Sequence, residues 1–213
     1  MQKKLQGVTD APLTVHGMTG QAQALAMSLA ARPVLADGRP PIRAMVVSPL
    51  QRTRDTAAQI QEAHEMLGPP LEITYDAALK EKDFGSHEDT VYGSVQAPQE
   101  GGEDRAAFYK RVKEAFQPIL IACAEASHQP ATAEFVVVTH GLVISAFNKL
   151  FCPEVVASVS NTGRFVYHVS PDAKKVTCRI ANDTTHLLSV RKQRGIGSLA
   201  YDPRQTLINA FFR

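Results

Sequence analysis

The sequence of 213 residues has no tryptophan and only three cysteines, which stand far apart at Cys123, Cys152 and Cys178. Without a Cys-x-x-Cys pair or an even number of cysteines, a disulfide framework and a cysteine metal site are both disfavoured. The pattern is typical of reduced, structural thiols in an intracellular protein. The seven histidines form no His-x-x-x-His or His-Glu-x-x-His pattern, so the sequence predicts no metal site.

Charge and hydropathy exclude two further classes. Lys and Arg total 23 and Asp and Glu total 21, for a net charge of +2, and no basic run is interleaved with aromatic residues. A nucleic-acid partner is therefore not expected. No apolar run approaches the length of a membrane span and the amino terminus lacks the apolar core of a signal peptide, so we expect no membrane span and a cytoplasmic location. The length fits a single domain over residues 1–213.

The clearest local signal is a strand that ends on a histidine. A run of apolar, mostly β-branched residues from Phe135 to Val138 leads to His140 and Gly141, and a helical segment follows over residues 142–150. This order is typical of an α/β protein, in which a buried parallel strand carries a reactive side chain to its carboxyl end. The helix that follows would direct its positive end at a bound anion. A core histidine that merely caps the strand is the alternative.

A second segment has the same form. The apolar run Ile42–Val47 leads into Ser48 and Pro49, which are expected to cap a helix and to stand in its first turn. Arg52 and Arg54 then lie near the helix start, where a cation is disfavoured unless an anion is bound. The two arginines therefore indicate an anion site, and solvated surface arginines are the alternative.

A third segment, Leu79–Glu88, is rich in carboxylates and contains Gly85, so it is expected to form a loop. A carboxyl group in this loop could protonate a leaving oxygen. Phosphate is bound by guanidinium groups, helix amino termini and a histidine that can carry charge. The first two segments together therefore indicate a phosphate site, to which the loop could add an acid.

The remaining sequence alternates between helical and strand patterns. Helices are predicted over residues 19–31, 52–67 and 104–125, a strand over 71–75, and a hairpin that pairs 165–169 with 176–180. This alternation predicts an α/β fold of three layers, in which helices flank a mostly parallel central sheet.

Six segments occur in the order seen in the histidine phosphatase superfamily, the phosphoglycerate mutase-like proteins, which this sequence resembles over about residues 5–190. The segments are Leu13-Thr14-x-x-Gly17 with Gln21-Ala22, Ser48-Pro49-Leu50-Gln51-Arg52, Leu79-Lys80-Glu81 with Phe84-Gly85, Gly101-Gly102-Glu103, Val138-Thr139-His140-Gly141 and Asn182-Asp183-Thr184-Thr185-His186-Leu187. The resemblance implies the phosphoglycerate mutase-like fold.

The resemblance also implies a role for each matching residue. Arg52 would hold the transferring phosphoryl group, together with Gly141 at the start of its helix. Glu81 would donate the proton to the leaving group, with Glu88 as a rival. His140 would be the second histidine of the pocket and would stabilise charge on the phosphoryl oxygens. No metal or other cofactor is required, because arginine and histidine supply the positive charge.

The sequence departs from the family at the nucleophile, a histidine in an Arg-His-Gly motif at the end of the first strand, which is not found here. The natural chain could be longer, with this sequence starting at a downstream methionine; the protein could be a non-catalytic relative; or the nucleophile could come from elsewhere, such as His16. The first explanation is favoured, because a missing central strand would leave sheet edges unpaired. Gly7, Asp10 and Pro12 argue against a strand before His16, which is expected to lie at a helix entrance and face water.

The predicted activity is hydrolysis of a phosphomonoester through a phosphohistidine, with a phosphorylated small molecule or a phosphoprotein as substrate. A mutase is the less favoured activity, because residues 88–102 carry no recognisable sugar-phosphate specificity signal. The alternative from another class is a phosphate- or phosphoprotein-binding protein without turnover, which keeps Arg52 and His140 and lacks the nucleophile.

Overall fold

The computed structural model describes residues 4–34, 41–91, 99–126 and 134–190. Four α-helices lie in these ranges: α1 (Gln23–Ala30), α2 (Gln51–Glu65), α3 (Arg105–Ala126) and α4 (Gly141–Phe151). The five strands there are β1 (Ile42–Val47), β2 (Glu72–Tyr75), β3 (Glu134–Val138), β4 (Arg164–Val169) and β5 (Val176–Asp183). A π-helical turn, Gly17–Ala22, leads directly into α1. None of the helices in these ranges has the length and apolar composition needed to cross a membrane.

The central sheet has the order β2-β1-β3, and both pairings are parallel. Val47 at the end of β1 is in register with Tyr75 of β2 and Val138 of β3, so the three strands reach the same edge of the sheet. The predicted α/β fold with a parallel sheet between helices is thereby confirmed. Because chain segments that leave the carboxyl ends of parallel strands meet at one edge, Ser48 and His140 become neighbours.

Two apolar clusters cover the two faces of this sheet and make the three layers. On one face, α1 and α2 pack through Leu25, Leu29 and Ile60 onto Met45 and Val47 of β1. On the other face, α3 and α4 contribute a cluster that includes Phe108, Val112, Phe116, Val143 and Phe147. Alternation along β1 and β3 explains this division, because successive side chains of a strand point to opposite faces.

Strands β4 and β5 form the predicted antiparallel hairpin, which is confirmed and is a separate two-stranded sheet. It packs against α4, where the Tyr167 hydroxyl donates to Asn148 Oδ1 and the ring lies 4.8 Å from that of Phe147. Within the described ranges, β3 is hydrogen-bonded to a strand on one side only.

Candidate active site

The carboxyl ends of β1 and β3 bring two polar side chains into a buried contact. Ser48 Oγ and His140 Nε2 share a hydrogen bond 2.7 Å long, and the two residues are 0% and 7% exposed. The Leu50 N–H approaches the same Oγ at 3.5 Å. The tautomer of a neutral imidazole decides whether Nε2 donates to the hydroxyl or accepts from it, and in either case Ser48 fixes the orientation of the His140 ring.

The predicted helix cap at Ser48 is wrong. Helix α2 begins at Gln51 with Leu50 as its N-cap residue, and Pro49 precedes the helix instead of standing in its first turn. The Gln51 N–H is bonded by the carboxylate of Asp10 from the loop before the first helical turn. Ser48 is therefore free to orient His140, because a distant carboxylate satisfies the helix start.

His140 is held as a neutral side chain. Burial, followed by the positive charges of Arg52 and Arg111, lowers the pKa of His140 to about 3. A charged imidazole in this position needs an anion beside it, because burial and both arginines oppose the charge. His140 is thus suited to receive an anionic group.

Glu81 is buried in the same site, at 8% exposure. Its Oε2 accepts a hydrogen bond of 3.1 Å from the Leu142 N–H in the first turn of α4, and its Oε1 accepts one of 2.9 Å from the Lys82 N–H. Burial raises the pKa of Glu81, against these two N–H groups and the charges of Arg52 and Arg111, which lower it. A carboxyl group with a raised pKa can carry a proton to a leaving group near neutral pH.

The rival carboxylate, Glu88, has a different environment. It accepts hydrogen bonds from the backbone N–H groups of Gly7, Val8, Thr9 and Phe84 and from the Thr9 hydroxyl. These donors lower the pKa of Glu88, although partial burial acts in the opposite direction. A carboxylate bonded by a ring of donors is a poor proton donor, so the geometry favours Glu81 as the acid.

Arg52 lies in the first turn of α2 and has two bonded neighbours. Its Nη1 donates to the Thr9 carbonyl at 2.9 Å and its Nη2 donates to the Gly7 carbonyl at 2.7 Å. Among the described residues these are its hydrogen bonds, and a guanidinium has five N–H groups, so three remain for an anion. Burial lowers the pKa of Arg52, while the negative charges of Glu81, Asp10 and Glu88 raise it.

The structure thus brings together Arg52, Glu81, His140 and Gly141, whereas Arg54, the other arginine of the predicted anion site, is exposed and donates to the Gln51 side chain. Gly141 is the first residue of α4, directly after His140, and the Leu142 N–H that follows is already bonded to Glu81. Arg52 is close enough to influence the charge of both Glu81 and His140. Arginine, acid, histidine and helix start therefore share one site at the carboxyl edge of the sheet.

His16 lies at a helix entrance, as expected, because it is the N-cap residue of the π-helical turn. The expectation that it faces water is wrong, because it is 8% exposed and its ring lies against Gly20. This close packing is possible because Gly20 has no side chain. Among the described residues, no hydrogen bond joins His16 to Arg52, Glu81 or His140.

Sequence reasoning missed two residues of this site, Arg111 and Thr139. Arg111 of α3 forms a bidentate ion pair with Glu103 and donates to backbone carbonyls around Glu81. Thr139 Oγ1 donates to the Leu79 carbonyl at 2.8 Å. The sequence did contain a clue to each residue: Glu103, the partner of Arg111, ends the Gly101-Gly102-Glu103 motif, and Thr139 precedes His140. The contacts themselves, from Arg111 to Glu103 and from Thr139 to the Leu79 carbonyl, cannot be deduced from spacing.

Among the described residues, no group of three or more histidines, cysteines or carboxylates is gathered as a metal site would require. The positive charges that act on His140 are those of Arg52 and Arg111.

Comparisons with known proteins give one family and one fold. The profile of the histidine phosphatase superfamily (branch 1) matches residues 1–153. Phosphoglycerate mutase from Bacillus anthracis is 19% identical with a TM-score of 0.68, and the alignment covers 86% of this chain and 87% of that one. A mycobacterial hydrolase is 21% identical with a TM-score of 0.66, over 94% and 90% of the two chains.

A third structure, mycobacterial glucosyl-3-phosphoglycerate phosphatase, is 20% identical with a TM-score of 0.65, over 85% of this chain and 91% of that one. At such identities the likeness concerns the fold alone. A search of curated protein sequences gives no match.

Proposed function

Because this chain belongs to the histidine phosphatase superfamily (branch 1), we propose that it hydrolyses a phosphomonoester through a phosphohistidine. Arg52 and Gly141 bind the phosphoryl oxygens, His140 stabilises their charge, and Glu81 protonates the departing alcohol. Phosphoryl transfer depends on in-line positioning and on neutralised equatorial oxygens more than on bond making by the protein. The arrangement supports this chemistry without a metal.

The observation that carries the proposal is that one site combines a carboxyl group suited to give up a proton with side chains suited to bind an anion. A buried carboxyl with a raised pKa lies beside an arginine with three available N–H groups and a neutral imidazole. A phosphate dianion that enters between Arg52 and His140 would favour the imidazolium form, while the raised pKa of Glu81 favours the protonated carboxyl that the leaving oxygen needs. These are the charge states that ester cleavage requires.

The proposed reaction has two steps. A histidine nitrogen attacks phosphorus, the bond to the ester oxygen breaks, and the proton of Glu81 passes to that oxygen. Water then attacks the phosphohistidine, with the Glu81 carboxylate accepting its proton, and phosphate is released. Among the described residues, His140 is the histidine hydrogen-bonded within this site, through Ser48, and the proposal assigns it to charge stabilisation; the attacking histidine is not assigned to any of the described residues.

The substrate is proposed to be a phosphorylated small molecule. Two of the similar structures are a glucosyl-3-phosphoglycerate phosphatase and a putative α-ribazole-5′-phosphate phosphatase, both named for phosphorylated small molecules. The Bacillus anthracis phosphoglycerate mutase is a similar structure that would favour a mutase activity instead. Phosphatase is preferred because residues 88–102 carry no recognisable sugar-phosphate specificity signal.

The test is hydrolysis of p-nitrophenyl phosphate by the chain and by His140→Ala, Arg52→Ala and His16→Ala. We expect turnover that is lost with His140→Ala and Arg52→Ala and kept with His16→Ala. Turnover lost in both histidine variants would make His16 the nucleophile. Acid-labile, base-stable labelling by radioactive substrate would identify the phosphohistidine.

A second candidate, phosphate or phosphoprotein binding without turnover, is favoured by the presence of a single histidine at the described site. It predicts no hydrolysis, together with inorganic phosphate binding that is measurable by calorimetry and lost in Arg52→Ala. Absence of both turnover and phosphate binding would contradict the two candidates together.

A further inference from the structure

We propose that Arg111 is a positioning residue for Glu81, acting through the backbone of residues 78–81 and not through contact with the substrate. The inference rests on the proposed role of Glu81 as the acid. It assigns a function to a side chain of α3, which otherwise belongs to the layer outside the sheet.

The first observation is the number of carbonyls that Arg111 holds. Nη1 donates to the carbonyls of Ala78 and Lys80 at 2.7 Å and 2.9 Å, and Nη2 donates to the carbonyl of Glu81 at 3.3 Å. The carbonyl between them, that of Leu79, accepts from Thr139 Oγ1. Every carbonyl of the segment that leads into the acid is therefore bonded to a side chain from α3 or from the end of β3.

The second observation is that the backbone around the acid is irregular, although Leu79 anchors the start of the segment in the core. Residues 77–79 form one short 3-10 turn, and Lys80–Lys82 belongs to no strand or helix. Regular elements hold their backbone by internal or ladder hydrogen bonds, which an irregular segment lacks. The planar fork of a guanidinium can bond several carbonyls at once, whereas an ammonium group cannot reproduce that geometry.

The third observation is that Arg111 has no N–H group left for a substrate. Nε and Nη2 donate to the two carboxylate oxygens of Glu103 at 2.6 Å and 2.7 Å. With the three bonds to carbonyls, these contacts use all five N–H groups of the guanidinium. Arg52, by contrast, keeps three. Arg111 is thus equipped to hold protein backbone, and Arg52 is equipped to bind an anion.

Glu103, the ion-pair partner of Arg111, holds the backbone just after Glu81. Its Oε2 accepts from the Asp83 N–H at 3.2 Å, and its own N–H donates to the Asp83 carbonyl at 3.0 Å. The segment is therefore fixed before and after the acid. The position of the Glu81 carboxylate against the Leu142 N–H follows from these restraints, because a short irregular segment moves as a unit.

Electrostatics supplies a readout that a purely structural contact would not affect. The positive charges of Arg52 of α2 and Arg111 of α3 act on Glu81. The other titratable groups on the adjoining segments are Lys82, Asp83, Glu88, Glu103 and His140. The positive charge of Arg111 lowers the pKa of Glu81 against the effect of burial. Loss of that charge would raise the pKa of Glu81, and the unpaired Glu103 would add to the rise.

The experiment compares the full chain with Arg111→Gln, Arg111→Lys and, as a matched control, Lys110→Gln. Lys110 is the exposed neighbour of Arg111 on α3 and lies 4.0 Å from Glu114 in an ion pair on the surface. Carbon-13 NMR of carboxyl-labelled glutamate gives the pKa of Glu81, whose signal is assigned with Glu81→Gln. We expect a rise of roughly one unit in Arg111→Gln, a smaller rise in Arg111→Lys and none in Lys110→Gln.

Kinetics with p-nitrophenyl phosphate separates positioning from binding. In both Arg111 variants kcat is expected to fall roughly 10- to 100-fold, because a small displacement of a catalytic group is costly, while KM changes little. A raised KM with an unchanged kcat would place Arg111 on the substrate and overturn the proposal. An unchanged pKa of Glu81 in folded Arg111→Gln would overturn it as well.

Two outcomes keep the inference separate from the function on which it rests. If the wild-type chain has no turnover, the proposed function fails, while the titration of Glu81 still decides whether Arg111 governs that carboxyl. If Arg111→Gln does not fold, Arg111→Lys decides, and wild-type values of kcat and of the Glu81 pKa in it would contradict the proposal.

Discussion

Two carboxylates of one short stretch, Glu81 and Glu88, occupy environments that act on them in opposite directions. Glu81 is nearly enclosed and accepts two backbone N–H bonds, and burial raises its pKa. Glu88 is partly exposed and accepts four backbone N–H bonds and one hydroxyl bond, which lower its pKa. The balance between lost water and supplied donors, not sequence position, decides which carboxyl keeps a proton.

The two carboxylates also mark two regions with different roles. In the pocket around Glu81, a carboxyl and an imidazole are both buried, and burial opposes the charged form of each. The loop around Glu88 is satisfied, because three consecutive N–H groups, those of Gly7–Thr9, converge on its carboxylate. Arg52 joins the regions, since it holds the loop by two carbonyls and interacts electrostatically with both carboxylates.

The largest expected effect separates the two carboxylates by activity. In Glu81→Gln we expect kcat for p-nitrophenyl phosphate to fall by roughly 10²- to 10⁴-fold, the usual contribution of a general acid. In Glu88→Gln we expect a decrease of less than about tenfold, because that residue only holds a loop. The measurement is steady-state kinetics across pH, where the alkaline limb of kcat should disappear in Glu81→Gln alone. Equal losses in the two variants would remove the distinction.

Arg52→Lys is expected to have the next largest effect, because it touches both regions. A lysine keeps the charge but cannot hold two carbonyls and an anion at the same time. We expect KM to rise roughly 10- to 100-fold, with greater sensitivity to salt. Limited proteolysis should show increased cleavage near residues 7–9, with Arg54→Lys on the exposed face of α2 as the matched control. Weaker substrate binding without a more mobile loop would mean that Arg52 serves the pocket alone.

Thermal stability should distinguish the two carboxylates as well, and here we expect Glu88 to contribute the stabilising hydrogen bonds. The folded-state pKa of Glu88 lies below the ordinary 4.5, so its stabilisation is complete above that pH and is lost as pH falls through the folded-state pKa. We expect Glu88→Gln to lower Tm by several degrees at neutral pH, since a lost bond to a charged group costs about 1–3 kcal/mol. The difference in Tm between the wild type and Glu88→Gln should become smaller at acidic pH. Thermal denaturation monitored by circular dichroism measures it.

The contribution of Glu81 to stability depends on pH in the opposite direction. Its folded-state pKa lies above 4.5, so its stabilisation is complete below that pH and is lost as pH rises through the folded-state pKa. The Tm of Glu81→Gln relative to the wild type should therefore increase with pH, while that of Glu88→Gln decreases. Parallel curves for the two variants would contradict the assigned environments.

Much of the fold was predictable, because strands buried on both faces and helices with one apolar side leave periodic patterns. Strand β2 was predicted one residue longer than observed, and the hairpin of β4 and β5 was correctly paired. The sequence could also place His140 at a strand end. It could not show that His16 is buried, because that depends on Gly20 lying against its ring.

The hydrogen-bond partners of the site lay beyond sequence reasoning for a physical reason. Ser48 resembles a helix cap by residue type, but the position is decided by Asp10, which reaches α2 from far away in the chain. Arg111 is one basic residue in a long amphipathic helix, and only the folded backbone of residues 78–81 gives it partners. Long-range side-chain contacts leave no periodic signal.

The smallest expected effect concerns Asp10, which belongs to the loop region but faces Arg52. Its carboxylate bonds the Gln51 N–H at the start of α2, and its charge raises the pKa of Arg52. Asp10→Asn keeps an oxygen acceptor and removes the charge, so KM for an anionic substrate should fall about two- to threefold at low salt and return to the wild-type value at high salt. Asp10→Ala removes the acceptor as well and should also destabilise the chain by about 1 kcal/mol, as measured by urea denaturation. If KM is the same in Asp10→Asn and the wild type at every salt concentration, the loop and the pocket are electrostatically independent. Arg52 would then join them through its hydrogen bonds alone.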